Sequence, residues 1–451
     1  MSHVASAIYA NPSLEHAVSF LGCLFPSPRP FTIRLWDGSE LPASGRPCFT
    51  LRLNHAGAVR RMFTPPLEIS LTEAYIYGDF DIEGDIFIAF HEIYTILTHA
   101  YSLREIAALA RALVALPISK SSPLTGRGPA RLHGAIHSRE RDRAAIQYHY
   151  DVGNDFYALW LDRHMQYSCG YFPTGQEDLD TAQTRKMEHS CRKLRLQPGD
   201  RLLDIGCGWG GLAMYAAETY QANVVGVTLS RNQAAYANDR IASAGLNGRV
   251  TIELKDYREL NAESFDKIIS VGMFEHVGRQ HLPEYFARTC RLLKSGGLFL
   301  NHGIAYWPGS EYADGVPPGR SVRASGVHRF LERWLIGSGA FSQRYIFPDG
   351  ELVPVSEVNL IAERTGFEVR DVENLREHYA LTLRHWAKRL EEHREQAIRA
   401  ASEVTYRTWR LFLVASAYAF ETGRINVNQT LLSKPADGKC NLPLTRADIH
   451  R

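Results

Sequence analysis

Apolar and polar positions repeat with two different periods along this chain, and the change of period divides it. Phe31 to Trp36 and Phe49 to Leu53 alternate residue by residue, as half-buried strands do, with Asp37-Gly38 and Ser44-Gly45 as turns between them. Ser70 to Phe80 leads through Glu83-Gly84-Asp85 into helical segments, of which Leu103 to Leu116 places Ile106, Leu109, Leu113 and Val114 at amphipathic spacing. From about 200 the pattern becomes short apolar runs separated by helical stretches. These runs are Leu202 to Ile205, Asn223 to Leu229, Val250 to Leu254, Phe265 to Val271 and the strand that closes Leu292 to Leu300. Strand, helix and strand repeat to about 305, which predicts an α/β fold with a doubly wound, mostly parallel, Rossmann-like sheet. Farther on, Phe367 to Val372 reads as a strand, and His378 to Arg389 and Thr405 to Phe420 as long apolar-basic helices. These two are either core helices or a helical lid that admits an acyl chain.

Three parts follow. Residues 1–118 form a smaller N-terminal α+β accessory domain without nucleophile, metal cluster or phosphate loop. Residues 119–143 form a Gly/Pro linker with a basic excess, from Lys120 to Arg143, read as a solvated hinge or as an electrostatic contact with anionic lipid. Residues 144–451 form the catalytic region, with a Gly/Pro-rich insertion from Gly309 to Arg344.

Composition narrows the class. A chain of 451 residues has room for two or three domains, and a formal net charge of +2 is too small to announce a nucleic-acid partner. Seven cysteines without a C-x-x-C pair read as reduced thiols of a cytosolic protein. The N-terminus lacks the basic-then-apolar pattern of a secretory signal, and no apolar run approaches the ~20 residues that span a bilayer. The expectation is a cytoplasmic protein that touches a membrane peripherally.

The candidate chemistry gathers at strand ends. Leu202 to Gly211 reads LLDIGCGWGG, a buried strand that breaks into glycines and then a helix, where a backbone comes close to a ligand at a helix N-terminus. Asp204 lies just below the glycines. Thr228 stands where such folds usually carry the ribose-binding acid, so Thr228 and Gln233 would serve instead, with Ser230 as the N-cap of the next helix. Asp256-Tyr257 offers a carboxylate and a ring for an adenine. Glu275 follows the fourth strand and His302 the fifth. All lie beyond carboxyl ends of parallel strands, where ligands bind. Gln147 to Phe172, dense in aromatics around Ser168 and Cys169, reads as the wall of an apolar cavity.

The chain resembles the cyclopropane-fatty-acyl-phospholipid synthase family of class I S-adenosylmethionine-dependent methyltransferases. The resemblance is carried by YHYDVGNDFY from Tyr148, YSCGYF from Tyr167, LDIGCGWGG from Leu203, VTLSRNQ from Val227, MFEHVG from Met273 and YIFPDGEL from Tyr345. It extends over about 145 to 435, and Pro65-Pro66 through GDFDIEGD is similar to the family's N-terminal domain. It implies that Tyr167, Ser168, Asp204, Gly206, Gly208, Trp209, Thr228, Ser230, Gln233, Asp256 and Tyr257 hold S-adenosylmethionine. It also implies that Cys169, Glu275, His302, Ile304 (through its backbone) and Tyr345 bind a bicarbonate ion. Ser416 stands where the family carries a further cysteine. The implied reaction is methyl transfer to the double bond of an unsaturated phospholipid acyl chain, followed by proton loss from the resulting carbocation and closure of a cyclopropane ring. The implied assembly is a homodimer. Two alternatives stay open: a related acyl-chain methyltransferase giving a methyl-branched or methylene product, or a non-catalytic lipid-binding protein.

Overall fold

The computed structural model describes residues 12–97, 102–118, 123–260, 264–307, 339–440 and 442–449, so the insertion expected over Gly309 to Arg344 lies mostly outside them. The described residues fall into two compact units. One lies within 1–129, 314–345 and 402–418, the other within 130–313, 346–401 and 419–451. The continuous catalytic region expected over 144–451 is therefore interrupted twice, because Ala340–Tyr345 and most of the helix Glu403–Glu421 pack with the first unit.

The first unit is built on a four-stranded sheet. Its strands are β1 (Thr32–Arg34), β2 (Glu40–Leu41), β3 (Phe49–Leu53) and β4 (Phe80–Gly84), in the order β2-β1-β3-β4. The pairing is mixed, parallel between β1 and β3 and antiparallel elsewhere. Phe31 and Phe49 stack at 4.6 Å in its core. The fully buried Asp79 is held by Arg61 (2.7 Å) and His55 (3.0 Å), the pairing that a buried carboxylate requires. Leu103–Ala115 is a helix as its spacing predicts, opened by a capping box between Ser102 and Glu105.

The second unit carries a seven-stranded sheet of β5 (Arg201–Ile205), β6 (Asn223–Thr228), β7 (Val250–Leu254), β8 (Phe265–Val271), β9 (Leu293–Tyr306), β10 (Glu368–Asn374) and β11 (Ile425–Ser433). The order is β10-β11-β9-β8-β5-β6-β7; β5 to β9 run parallel, and β11 runs antiparallel to both β9 and β10. Alternate residues of the central strands face opposite helix layers. Leu202, Ile269 and Leu300 join one core with Ala213 and Ala237, while Leu203, Ile268 and Phe299 join the other with Phe286 and Val358. Burial on both faces explains why these strands read as unbroken apolar runs. β9 is longer than its sequence suggests. It takes in Gly296-Gly297 at a register shift against β8 and runs on to Tyr306. The linker expected over 119–143 turns helical at Arg139, because Ser138 caps the helix Arg139–Tyr150 and Glu140 and Asp142 fill its first turn.

Candidate active site

Beyond the carboxyl ends of β5, β6, β7 and β8 the second unit opens a cleft of ≈ 730 Å³, part of it open to solvent. Gly206, Gly208, Thr228, Gln233, Asp256 and Tyr257 line it, as expected, together with Asp142, Ile146 and Tyr150 from the helix Arg139–Tyr150 and Met273 and His276 from the loop after β8. The glycine turn needs its glycines: Gly206 and Gly208 have φ of +80° and +55°, and a Cβ on Gly206 would fall 2.8 Å from Met273 Cγ. At the end of β6 a small ring of hydrogen bonds fixes the floor. Ser230 N–H donates to Thr228 Oγ1 (3.2 Å), Thr228 Oγ1 to Gln233 Oε1 (2.9 Å), and Gln233 N–H to the capping Ser230 Oγ (3.3 Å). Asp256 accepts from Arg258 N–H and Nε (2.9 Å each) and Nη2 (2.7 Å), and Nη2 also reaches Asp142 Oδ2 (3.0 Å). Burial would raise the Asp256 carboxyl; Arg258 more than offsets it and holds it below the ordinary range.

Of the other residues expected at the cofactor, Tyr167, Ser168, Asp204, Trp209 and Ser230 stand behind this lining. Tyr167 packs among His149, Tyr157, Trp160 and Trp386. Trp209 donates to Asn154 Oδ1 (2.8 Å) against Tyr150 and Tyr157. The aromatic stretch predicted as a cavity wall is thus largely a ring-on-ring core, with Tyr150 its member on the cleft. Asp204 is buried, its Oδ2 has no hydrogen-bond partner among the described residues, and burial pushes its carboxyl up to about 7.

A second group of polar side chains lies at the junction of β9 and β11. Glu275 Oε1 accepts from Ile304 N–H (2.7 Å), and its buried Oε2 has no partner among the described residues. Burial raises this carboxyl to about 7, against the pull of the Ile304 N–H. His302 is buried and held neutral, its pKa lowered to about 3 first by burial and then by Lys186 and Lys193. Gln429 Nε2 donates to His302 Nδ1 (3.1 Å), which leaves the proton on Nε2, itself unpartnered among the described residues. Cys169 is fully buried, so its thiol is pushed well up and stays protonated; it donates to Gly170 O (3.2 Å) and Leu375 O (3.6 Å). Leu375 N–H in turn donates to Val427 O (2.8 Å), and the ladder sets Val427 opposite Ile304 and Gln429 opposite His302. Cys169, Glu275, His302 and Ile304 therefore converge on one patch of two strands. The half-buried Tyr379 has its phenol raised by burial and then by the nearby Cys169 and Glu275. Tyr150, raised by burial and sensing Glu275, links this group to the cleft.

Two expected contacts differ. The Ile304 N–H is taken by Glu275, so at this site it acts through that carboxyl. Tyr345 falls in the first unit, where its hydroxyl donates to Glu73 Oε1 (2.9 Å) and lies 3.3 Å from the Tyr77 hydroxyl; its assignment keeps to the resemblance alone. Sequence reasoning missed Gln429, Leu375, Thr382 (whose hydroxyl accepts from Gly170 N–H at 2.9 Å) and Tyr379. These sit on segments that carry no motif, and their signal is burial, which a sequence does not print.

The chain has known relatives. Residues 137–430 match the family model for mycolic acid cyclopropane synthetase. A Pseudomonas putida protein described as a probable fatty acid methyltransferase is 40% identical over 424 residues, 94% of this chain and 96% of its own. The structure of the cyclopropane synthase MmaA2 from Mycobacterium tuberculosis is 34% identical with a TM-score of 0.59, over 67% of this chain and 100% of that one. That of mycolic acid cyclopropane synthase CmaA1 complexed with SAH and CTAB is 36% identical with a TM-score of 0.58, over 65% and 98%. This chain belongs to the mycolic acid cyclopropane synthetase family and is an S-adenosylmethionine-dependent methyltransferase of the class I fold.

Proposed function

We propose that this methyltransferase acts on the carbon–carbon double bond of an unsaturated fatty acyl chain in a membrane phospholipid and closes a cyclopropane ring, with a bound bicarbonate taking the proton. The observation that carries this reading is a pair of buried atoms without a partner among the described residues, Glu275 Oε2 and His302 Nε2, next to a cleft that suits a nucleotide-like ligand. The Pseudomonas putida relative matches along both units, whereas the cyclopropane synthase structures cover about two thirds of the chain. That favours an ordinary acyl chain over a mycolic acid.

Gly206, Gly208, Thr228, Gln233, Asp256 and Tyr257 would hold the cofactor, which when bound supplies an electrophilic methyl group on a sulfonium. A cradle that a single Cβ on Gly206 would fill fits such a ligand. The oxyanion site fits as well. His302 offers Nε2–H, and Glu275, poised near 7, an O–H for much of its population; Cys169 would offer its S–H only by giving up Gly170 O and Leu375 O. A carboxylate beside an anion would repel it; a protonated Glu275 instead donates to it. The neutral thiol of Cys169 argues against a covalent intermediate. The half-buried rings of Tyr150 and Tyr379 would shield the chain from water and offer faces to positive charge developing on it. Among the described residues no helix is long and apolar enough to cross a membrane, and peripheral contact with a bilayer and a homodimer belong to the same proposal.

The test is incubation of the purified protein with S-adenosylmethionine and vesicles of cis-monounsaturated phospholipid. The expected product has gained one CH2, has lost its olefin, and forms more slowly when bicarbonate is stripped from the buffer. An unmodified lipid would refute the reading; a product that keeps an olefin would favour the methylene alternative.

A further inference from the structure

The helix Leu179–Lys193 runs behind the site, and one of its residues has no role so far. Lys186 is fully buried, and its ammonium donates to Gln166 Oε1 and to Ser168 Oγ (2.9 Å), both neutral oxygens. The groups that act on it through space are Asp162, Cys169, Asp204 and Cys191, and it in turn bears on His302. None of these is bonded to it, and burial lowers the ammonium to about 8 against the pull of Asp162, the strongest of them. Asp162 already accepts from His164 N–H (2.8 Å) and Gln166 N–H (2.7 Å), Asp204 is raised to about 7 and is only partly ionised, and both thiols are protonated. A buried ammonium without a bonded carboxylate is costly, and an anion arriving beside it would offset part of that cost.

The same helix holds both sides of the site. Gln183 Nε2 donates to Ser168 O (2.8 Å), fixing the residue before Cys169. One turn beyond Lys186, Ser190 Oγ donates to Lys186 O (2.8 Å) and accepts from Gln429 Nε2 (3.4 Å), the amide that orients His302. Two other cations near the site are matched. Lys193 is paired with Glu373 (2.5 Å) and Asp371 (3.4 Å), and Arg258 with Asp256 and Asp142. The positive charge that reaches Ser168, Cys169 and His302 without a bonded counter-ion is that of Lys186.

We propose that Lys186 is a positioning residue whose buried positive charge, relayed through Ser168, tunes this site for a carboxylate-type oxyanion. The anion is either the methionine carboxylate of the cofactor or free bicarbonate; the bicarbonate arm rests on the function proposed above, and the cofactor arm does not.

The experiment compares wild type with Lys186→Met, which keeps length and removes charge. Calorimetry measures the affinity of S-adenosylhomocysteine and of methylthioadenosine, which shares the adenosine and thioether and lacks the carboxylate. Turnover is measured against added bicarbonate. A charge-assisted contact predicts a loss of about tenfold or more. If the cofactor carboxylate is the partner, that loss falls on S-adenosylhomocysteine and spares methylthioadenosine. If bicarbonate is the partner, both affinities hold and the bicarbonate concentration for half-maximal turnover rises by a similar factor. Equal losses for both nucleosides, or no change in either affinity or bicarbonate requirement, would overturn the proposal. Lys186→Gln, which retains a donor for Ser168, repeats the comparison should the Met variant fail to fold, as read by thermal melting. A wild type indifferent to bicarbonate would remove the base assigned above while leaving the nucleoside comparison to decide Lys186.

Discussion

Glu275→Gln separates charge from shape at the centre of the site. The amide oxygen can still accept from Ile304 N–H, now 2.7 Å from Oε1, so the local backbone stays satisfied. What disappears is a carboxyl whose pKa burial has raised from 4.5 to about 7. At ~1.4 kcal/mol per factor of ten, ionising it in the fold costs roughly 3 kcal/mol more than ionising it in the unfolded chain. The sign follows from the direction of the shift. Folding favours the protonated form, so its contribution is complete below pH 4.5, shrinks as pH rises, and is gone once pH passes about 7. Glutamine carries no such dependence. Relative to wild type, the variant should therefore gain roughly 3 kcal/mol of unfolding free energy between about pH 4.5 and about pH 8. Urea denaturation at both pH values, followed by tryptophan fluorescence, measures the difference. Steady-state turnover in the same preparations should fall about a hundredfold or more, the scale of a lost proton-handling group, while S-adenosylhomocysteine affinity stays within about twofold. A variant-minus-wild-type stability difference that is the same at both pH values would refute the burial of an ionisable carboxyl here. Near-normal turnover would remove Glu275 from the chemistry.

Three further changes probe the surroundings. Gly206→Ala forces a side chain onto a φ of +80° and against Met273, so the affinity for S-adenosylhomocysteine should fall about tenfold by calorimetry. Gly303→Ala would set a Cβ 1.7 Å from Phe274 Cε1; displacing that buried ring beside Glu275 should cost about 1–3 kcal/mol in denaturation and lower turnover as well. Gln429→Leu removes the donor that fixes the His302 tautomer, so turnover should drop about tenfold with nucleoside affinity unchanged, as initial rates and calorimetry would report together.

The parallel strands were legible because each is buried on both faces and reads as an apolar run; β7 and β8 begin and end where the pattern places them. β11 was not, and the reason is physical. Its Asn428, Gln429 and Thr430 are buried polar residues, with Gln429 bonded to His302 and Ser190 inside the sheet, so the hydrophobic rhythm fails where the strand does its work. Motif positions placed Gly206, Thr228 and Asp256 on the cleft because they lie at strand ends, and Gln233 because it opens the helix after β6. The environment of each was not legible: that Arg258 occupies Asp256, that Ile304 N–H is committed to Glu275, and that Lys186 lies behind Ser168 are consequences of long-range packing. What also escaped the sequence is that most of the helix Glu403–Glu421 returns to the unit that holds the N-terminal segment.

The central claim is that a methyl group is delivered to an olefin and then loses a proton inside the site. S-adenosylmethionine carrying a trideuterated methyl group tests it directly, with mass spectrometry of the phospholipid acyl chains as the readout. The account predicts a ring-bearing chain that retains two of the three deuterium atoms, the third having left to the base beside Glu275 and His302. A chain that keeps all three deuterium atoms would contradict it.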